Sequence, residues 1–286
     1  TLIGRYTRLP RSVIGLASGL NLIWQGQTNT IDWPSAVNCS GSPSRNRNGK
    51  VMDIFEGKHA VVTGGGTGIG AAIATSLAQL GAQVTVAGRR LEPLETLAQT
   101  HDNIHAVQTD VTDSDATRDL FDAAAKARGP ANIIIANAGA ANSDPFKRLT
   151  SQAWSDMLTI NMTGTFNTFQ AGLSHVGKGS WARLIAIAST AGLKGYGYAS
   201  AYCAAKHGVV GLTRALADEY AGTGTTANSV CPGFTETPLL DRAVDNIKSK
   251  TGMSDGDARK ALASDNPMKR LITPDEVAQT VIWLCG

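Results

Sequence analysis

Nothing in the chain approaches the run of about 18 apolar residues that a helix needs to cross a bilayer, so no membrane span is expected. Cysteine is scarce. Cys39, Cys203, Cys231 and Cys285 are scattered, with no C-x-x-C pair and no metal-like spacing against the five histidines. That scatter argues against a disulfide scaffold and a zinc site, and reads as reduced, mostly buried thiols in a reducing compartment such as the cytoplasm. Acid is nearly absent from residues 1–51, where Asp32 stands against Arg5, Arg8, Arg11, Arg45, Arg47 and Lys50. This segment therefore carries +5 of a net charge of +3, and the rest of the chain sums to −2. A body near neutrality, without a basic stripe, has no electrostatic case for binding nucleic acid.

The same first 51 residues lack a hydrophobic period, and they end in the polar run Ser40 to Asn48. The first methionine is Met52, and a domain pattern starts there. Residues 1–51 are expected to be a disordered or non-native N-terminal extension, with a transit-like peptide as the alternative because the stretch is Arg-rich and acid-poor. Residues 52–286 are expected to form a single domain.

What that domain does contain is alternation. Short β-rich runs, Ala60–Thr63, Gln83–Ala87, Ile104–Gln108, Asn132–Ala136, Arg183–Ala188 and Thr225–Val230, are separated by helical stretches. Parallel neighbours need crossover connections, and the crossovers cover the sheet, so this pattern predicts an α/β, Rossmann-type doubly wound parallel sheet. The runs Ile133-Ile134-Ile135 and Leu184-Ile185-Ala186-Ile187 are apolar on both faces, as central strands should be. In such sheets ligands collect at the carboxyl ends of the strands. Gly64 to Gly70, Gly88-Arg89, Asp110, Asn137 to Gly139, Ser189 and Pro232-Gly233 each follow a predicted strand directly.

Thr63-Gly64-Gly65-Gly66-Thr67-Gly68-Ile69-Gly70 lies between a strand and a helix, where glycines let the backbone approach a pyrophosphate and helix N–H groups face its charge. The next strand ends at Gly88, followed by Arg89 and Arg90, where NAD sites usually place a carboxylate. A guanidinium can clamp a 2′-phosphate with paired donors, so NADP (NADPH) is favoured over NAD. Tyr202 and Lys206 are four residues apart, about one helical turn, and follow Ser189 at thirteen. A phenol beside a fixed cation ionises more easily, which makes it usable as an acid or base near neutrality.

With these residues in hand, the chain resembles the short-chain dehydrogenase/reductase family over residues 55–286. The likeness is carried by T-G-x-x-x-G-x-G at Thr63–Gly70, N-A-G at Asn137–Gly139, Asn161, Ser189, Y-x-x-x-K at Tyr202–Lys206 and P-G at Pro232-Gly233. The resemblance implies that Tyr202 is the general acid in reduction, that Ser189 holds the substrate oxygen, and that Lys206 acidifies Tyr202 and binds the nicotinamide ribose. It implies that Asn161 fixes a water relaying protons to Lys206. Thr63, Gly64, Gly66, Thr67, Gly68, Ile69 and Gly70 would form the dinucleotide turn. Asp110 and Val111 would border the adenine, Asn137, Ala138 and Gly139 the cofactor floor, and Pro232, Gly233, Thr235 and Thr237 the nicotinamide end. No metal is implied.

The stretch from Ser200 to Leu240 looks most like 3-oxoacyl reductases and polyketide ketoreductases, which implies reduction of a 3-oxoacyl thioester or related ketone. The segment from Glu236 to Pro267 would be a substrate lid. Helices around Ser151–Gln170 and Ala201–Tyr220 would pair with their counterparts in a homodimer or homotetramer. Two rivals use the same residues: an NADP-linked dehydrogenase of a secondary alcohol, sugar or steroid, and a non-catalytic dinucleotide-binding protein. One departure from the family is Ala136 before N-A-G. The other is the final C-terminal strand, which is expected to be missing after the helix Val277–Leu284. Its loss would leave a bare sheet edge, and a chain extended past Gly286 is expected to be more stable.

Overall fold

The computed structural model describes residues 21–23, 53–177 and 179–286. Its strands are β1 (Asn21–Ile23), β2 (His59–Thr63), β3 (Gln83–Gly88), β4 (Ile104–Gln108), β5 (Ile133–Ala136), β6 (Ala182–Ile187) and β7 (Thr225–Cys231). The helices are α1 (Gly68–Gln79), α2 (Leu91–Ala98), α3 (Ser114–Arg128), α4 (Ser151–Leu158), α5 (Gly164–Leu173), α6 (Ser200–Glu219), α7 (Pro238–Thr251), α8 (Asp255–Ser264) and α9 (Pro274–Cys285). They build one sheet in the order β1-β7-β6-β5-β2-β3-β4. The six strands from β2 to β7 are parallel. The strand order reverses between β2 and β5, which opens the crevice where such sheets take their ligands.

Every residue of β5 is buried, and β6 exposes only Arg183 in part. Such strands survive only with helices on both faces. On one face Ile73, Ala74 and Leu77 of α1 and Val277, Val281 and Ile282 of α9 pack on Val62, Ile135 and Ile185. On the other, Leu120 and Phe121 of α3, Phe169 of α5 and Val209 of α6 pack on Val61, Ile134 and Leu184. Each of these side chains except Ala74 stabilises the fold by about 1.5–3 kcal/mol relative to exposure. Gly172 of α5 sits where a Cβ would lie 2.4 Å from Ile134 Cδ1, so a side chain there would have to push Ile134 aside.

Two features depart from the sequence expectations. No fold was expected of residues 1–51, yet Asn21–Ile23 form an antiparallel strand on β7, with Asn21 opposite Cys231 and Ile23 opposite Ser229. The edge expected to be bare therefore carries backbone partners over Ser229–Cys231, because unpaired N–H and C=O groups on a sheet edge accept any extended segment that reaches them. Cys39 and the polar run before Met52 lie outside the described residues. The second departure is in the helix expected over Ser151–Gln170. It is split into α4 and α5 by a π-helical turn at Thr159–Thr163, with Asn161 at its centre.

Local chemistry explains most helix ends. Asp113 caps α3 by accepting from Asp115 N and Ala116 N, and Thr150 caps α4 by accepting from Ala153 N. At α9, Thr273 and Glu276 form a reciprocal capping box, reinforced by Arg270, whose Nη1 lies 2.8 Å from Glu276 Oε2. That guanidinium is the main reason the Glu276 carboxyl is held down at about 2. Cys203, Cys231 and Cys285 are free and buried, as expected.

Candidate active site

A cleft of about 380 Å³ opens at the carboxyl ends of the strands. Gly64, Gly66, Thr67, Gly68 and Ile69 line one side, Arg89, Arg90, Asp110 and Val111 the far end, and Asn137, Ala138 and Gly139 the floor. Thr237 and the start of α7 form the opposite lip. The turn is shaped by contacts within the protein. Gly64 and Gly68 have φ of +63° and +55°, and a Cβ on Gly70 would lie 2.2 Å from the Gly64 carbonyl oxygen. Thr67 at the α1 N-cap makes no side-chain hydrogen bond to the first helical turn. The N–H groups of that turn are left without a side-chain cap beside the cleft, as helix starts that take anions are.

Other expected cofactor residues lie behind the cleft and hold its walls. Thr63 is buried, and its Oγ1 donates to Ile135 O and accepts from Asn137 N (3.1 Å) and Ala138 N (3.2 Å). It pins the floor to the turn. Asn137 Nδ2 donates back to Thr63 O and Gly64 O. Pro232 accepts from Thr190 N through its carbonyl, and a Cβ on Gly233 would lie 2.3 Å from Asn266 Oδ1. Thr235 Oγ1 donates to Gly233 O. Asp110 is itself committed, accepting from Thr112 N and Thr112 Oγ1. Asn167 Nδ2, 2.8 Å from Val111 O, ties this end to α5.

The four chemical residues converge where the floor ends. Lys206 on α6 is buried and donates to Ile187 O at 2.9 Å, and its Nζ lies 5.7 Å from the centre of the Tyr202 ring. Ser189 caps the 3₁₀ turn Thr190–Gly192 by accepting from Ala191 N at 3.1 Å. That bond leaves its O–H proton to donate, and Ser189 is near enough to Tyr202 to favour the ionised phenol. Asn161 is fully buried, with Nδ2 donating to Ala140 O (2.9 Å) and Met157 O (3.0 Å) and Oδ1 accepting from Ala140 N. A Cβ on Gly139 would lie 2.6 Å from Asn161 Oδ1 and 3.7 Å from Lys206 Nζ, so Asn161, Lys206 and the floor meet at one point. The π turn is what swings Asn161 out of helical register to reach that point.

Burial dominates the electrostatics of the Tyr202–Lys206 pair. Tyr202 is only partly exposed, and the protein around it pushes the phenol up to about 12, with the Ser189 hydrogen bond pulling the other way. Lys206 is itself desolvated and driven down to about 8. Low-dielectric surroundings penalise both charged forms, so the site holds a neutral phenol beside an ammonium that is easily discharged.

The sequence did not flag Thr109 and Ile160, which also line the cleft. Pro238, Leu239 and Arg242 line it too and fall within the lid segment expected over Glu236 to Pro267, behind a capped helix start with proline at its first turn.

Fold and site together define a dinucleotide-cleft oxidoreductase. The family model for short chain dehydrogenase matches residues 58–248, and the chain belongs to that family. Its members act on hydroxyl and carbonyl groups. The chain is 31% identical over 236 residues to the D-beta-hydroxybutyrate dehydrogenase of Rhizobium meliloti, covering 80% of this chain and 92% of that protein. It is 31% identical over 241 residues to the 3-oxoacyl-(acyl-carrier-protein) reductase FabG of Aquifex aeolicus, covering 82% and 93%. Among solved structures it matches a single-residue variant of actinorhodin polyketide ketoreductase with NADPH, at TM-score 0.75 and 33% identity, over 80% of this chain and 90% of that one.

Proposed function

We propose that this protein is an NADP(H)-dependent reductase of ketones, with a 3-oxoacyl thioester or related carbonyl as substrate. The observation that carries the reading is the meeting of Ser189, Tyr202, Lys206 and Asn161 beside a cleft whose β3 end offers Arg89 and Arg90 in place of a carboxylate. The cleft fits a dinucleotide on structural grounds: an uncapped helix start for the pyrophosphate, glycines at positive φ that bring the backbone close, and exposed guanidiniums at the ribose end. When bound, NADPH supplies the hydride.

The residues of the chain supply the rest. As hydride reaches a carbonyl carbon, negative charge grows on the oxygen, and donors aimed at that oxygen stabilise the transition state more than the ground state. Ser189 offers its hydroxyl proton to it. Tyr202, neutral up to about pH 12, delivers the proton as general acid. Lys206 holds positive charge beside the phenolate that forms, and Asn161 fixes the wall through which Lys206 is reached. Reprotonation of Tyr202 then runs through the Lys206 side of the site.

The hydroxybutyrate dehydrogenase relatives favour a second reading, oxidation of a small secondary alcohol by the same residues. NADPH consumption with 3-oxoacyl thioesters, set beside NAD(P)⁺ reduction by 3-hydroxybutyrate, separates the two. Tyr202→Phe, which deletes only the hydroxyl, should lower turnover by about 10²–10⁴-fold with cofactor affinity intact. Equal turnover by the two proteins would refute the assignment. We also propose a homodimer or homotetramer, supported by exposed Trp154, Met162 and Phe166 along α4, the π turn and α5.

A further inference from the structure

Most basic side chains of the lid, α7 and α8, are committed. Arg259 pairs with Asp241 and Asp255, Lys248 with Asp245 and Asp255, and Lys250 with Asp144. Arg242 is different. It is exposed, lines the cleft, and makes no ion pair or hydrogen bond among the described residues, although Asp241 and Asp245 are near it in the chain. A long cation left unpaired in a concave site, on a helix whose other cations have found carboxylates, is available for an anionic ligand.

We propose that Arg242 is a lid-borne ligand for the pyrophosphate of the dinucleotide, so that the bound cofactor draws α7 onto the cleft. The inference rests on the dinucleotide reading above and goes beyond it. Position selects the pyrophosphate over the 2′-phosphate. Thr237 caps α7 directly over the start of α1, where a Cβ on Gly68 would lie 3.0 Å from Thr237 Cγ2 and 3.7 Å from Pro238 Cδ. Arg242 lies little more than one helical turn further along α7, on the lip above the α1 N-terminus. Arg89 and Arg90 instead follow β3, at the adenosine end. The cleft thus presents cations to two separate parts of the ligand, one on the rigid sheet and one on the lid. Each phosphate contact made by the lid is lost when the lid opens, which couples cofactor affinity to closure.

The test is direct binding, read by fluorescence titration of NADPH and of NADH on the wild type, Arg242→Ala and Arg242→Lys. Arg242→Ala should weaken both cofactors by about tenfold, the low end for a charge-assisted contact at an exposed site, and leave their ratio unchanged. Arg242→Lys, which keeps the charge and loses the fork, should fall between. The melting temperature without cofactor should be the same in all three proteins, and the rise on adding NADPH smaller in Arg242→Ala. Unchanged affinity for both cofactors overturns the proposal, and so does a selective loss of NADPH, which would put Arg242 on the 2′-phosphate. A wild type that binds neither cofactor overturns this proposal and the dinucleotide reading together.

Discussion

Replacing Lys206 by methionine should stabilise the fold near neutrality while abolishing turnover, and the gain should fade as pH rises. Burial brings the folded-state value of Lys206 to about 8 from 10.5. Between those two values the unfolded chain binds more protons than the native one, so the wild type gains stability with rising pH across that window. Below pH 8 the full cost of the buried ammonium is present. At about 1.4 kcal/mol per unit, the shift makes Lys206 cost about 3 kcal/mol at pH 7 and about half that at pH 9.5. The methionine leaves the Ile187 carbonyl, now 2.9 Å from Nζ, without its donor, which subtracts roughly 1–3 kcal/mol at every pH. The pH-dependent part survives that correction. Urea unfolding of both proteins at pH 7 and 9.5 should show the stability difference moving by about 2 kcal/mol toward the wild type at the higher pH. A difference that stays constant across the two conditions would show that the ammonium suffers no desolvation penalty, and the picture of a site that drives its charges toward neutrality would fall with it.

Alanine at Arg89 and Arg90 together should lower the preference for NADPH over NADH by about tenfold or more, read as the ratio of the two kcat/KM values; an unchanged ratio would mean that the 2′-phosphate is not held at the end of β3. Gly70→Ala places a Cβ 2.2 Å from a backbone oxygen that cannot swing aside. It should cost about 1–3 kcal/mol, or roughly 2–10 °C in Tm, and weaken NADPH binding. Normal melting and normal affinity would show that the turn relaxes freely.

Much of this architecture is legible without coordinates because local periodicity carries it. Strands that are apolar on both faces belong inside a covered parallel sheet, and the strand ends that the pattern indicates fall within one residue of those observed for β2 to β7. The Gly64–Gly70 turn and the Tyr202–Lys206 spacing are likewise local, since a positive φ and one helical turn are set by neighbours in the chain. The π turn at Thr159–Thr163 leaves no such mark. It accompanies two hydrogen bonds that Asn161 exchanges with Ala140, a residue distant in sequence.

Local pattern placed the residues that stand at the strand ends, and so the chemistry available to the cleft. Their environment came from the packing of the fold. Desolvation depends on what surrounds a group in space, so burial drives both Tyr202 and Lys206, one turn apart on α6, toward neutrality. The same holds for Arg242 on the cleft lip and for the pairing of Asn21–Ile23 with β7, which depend on elements far apart in the chain meeting in space.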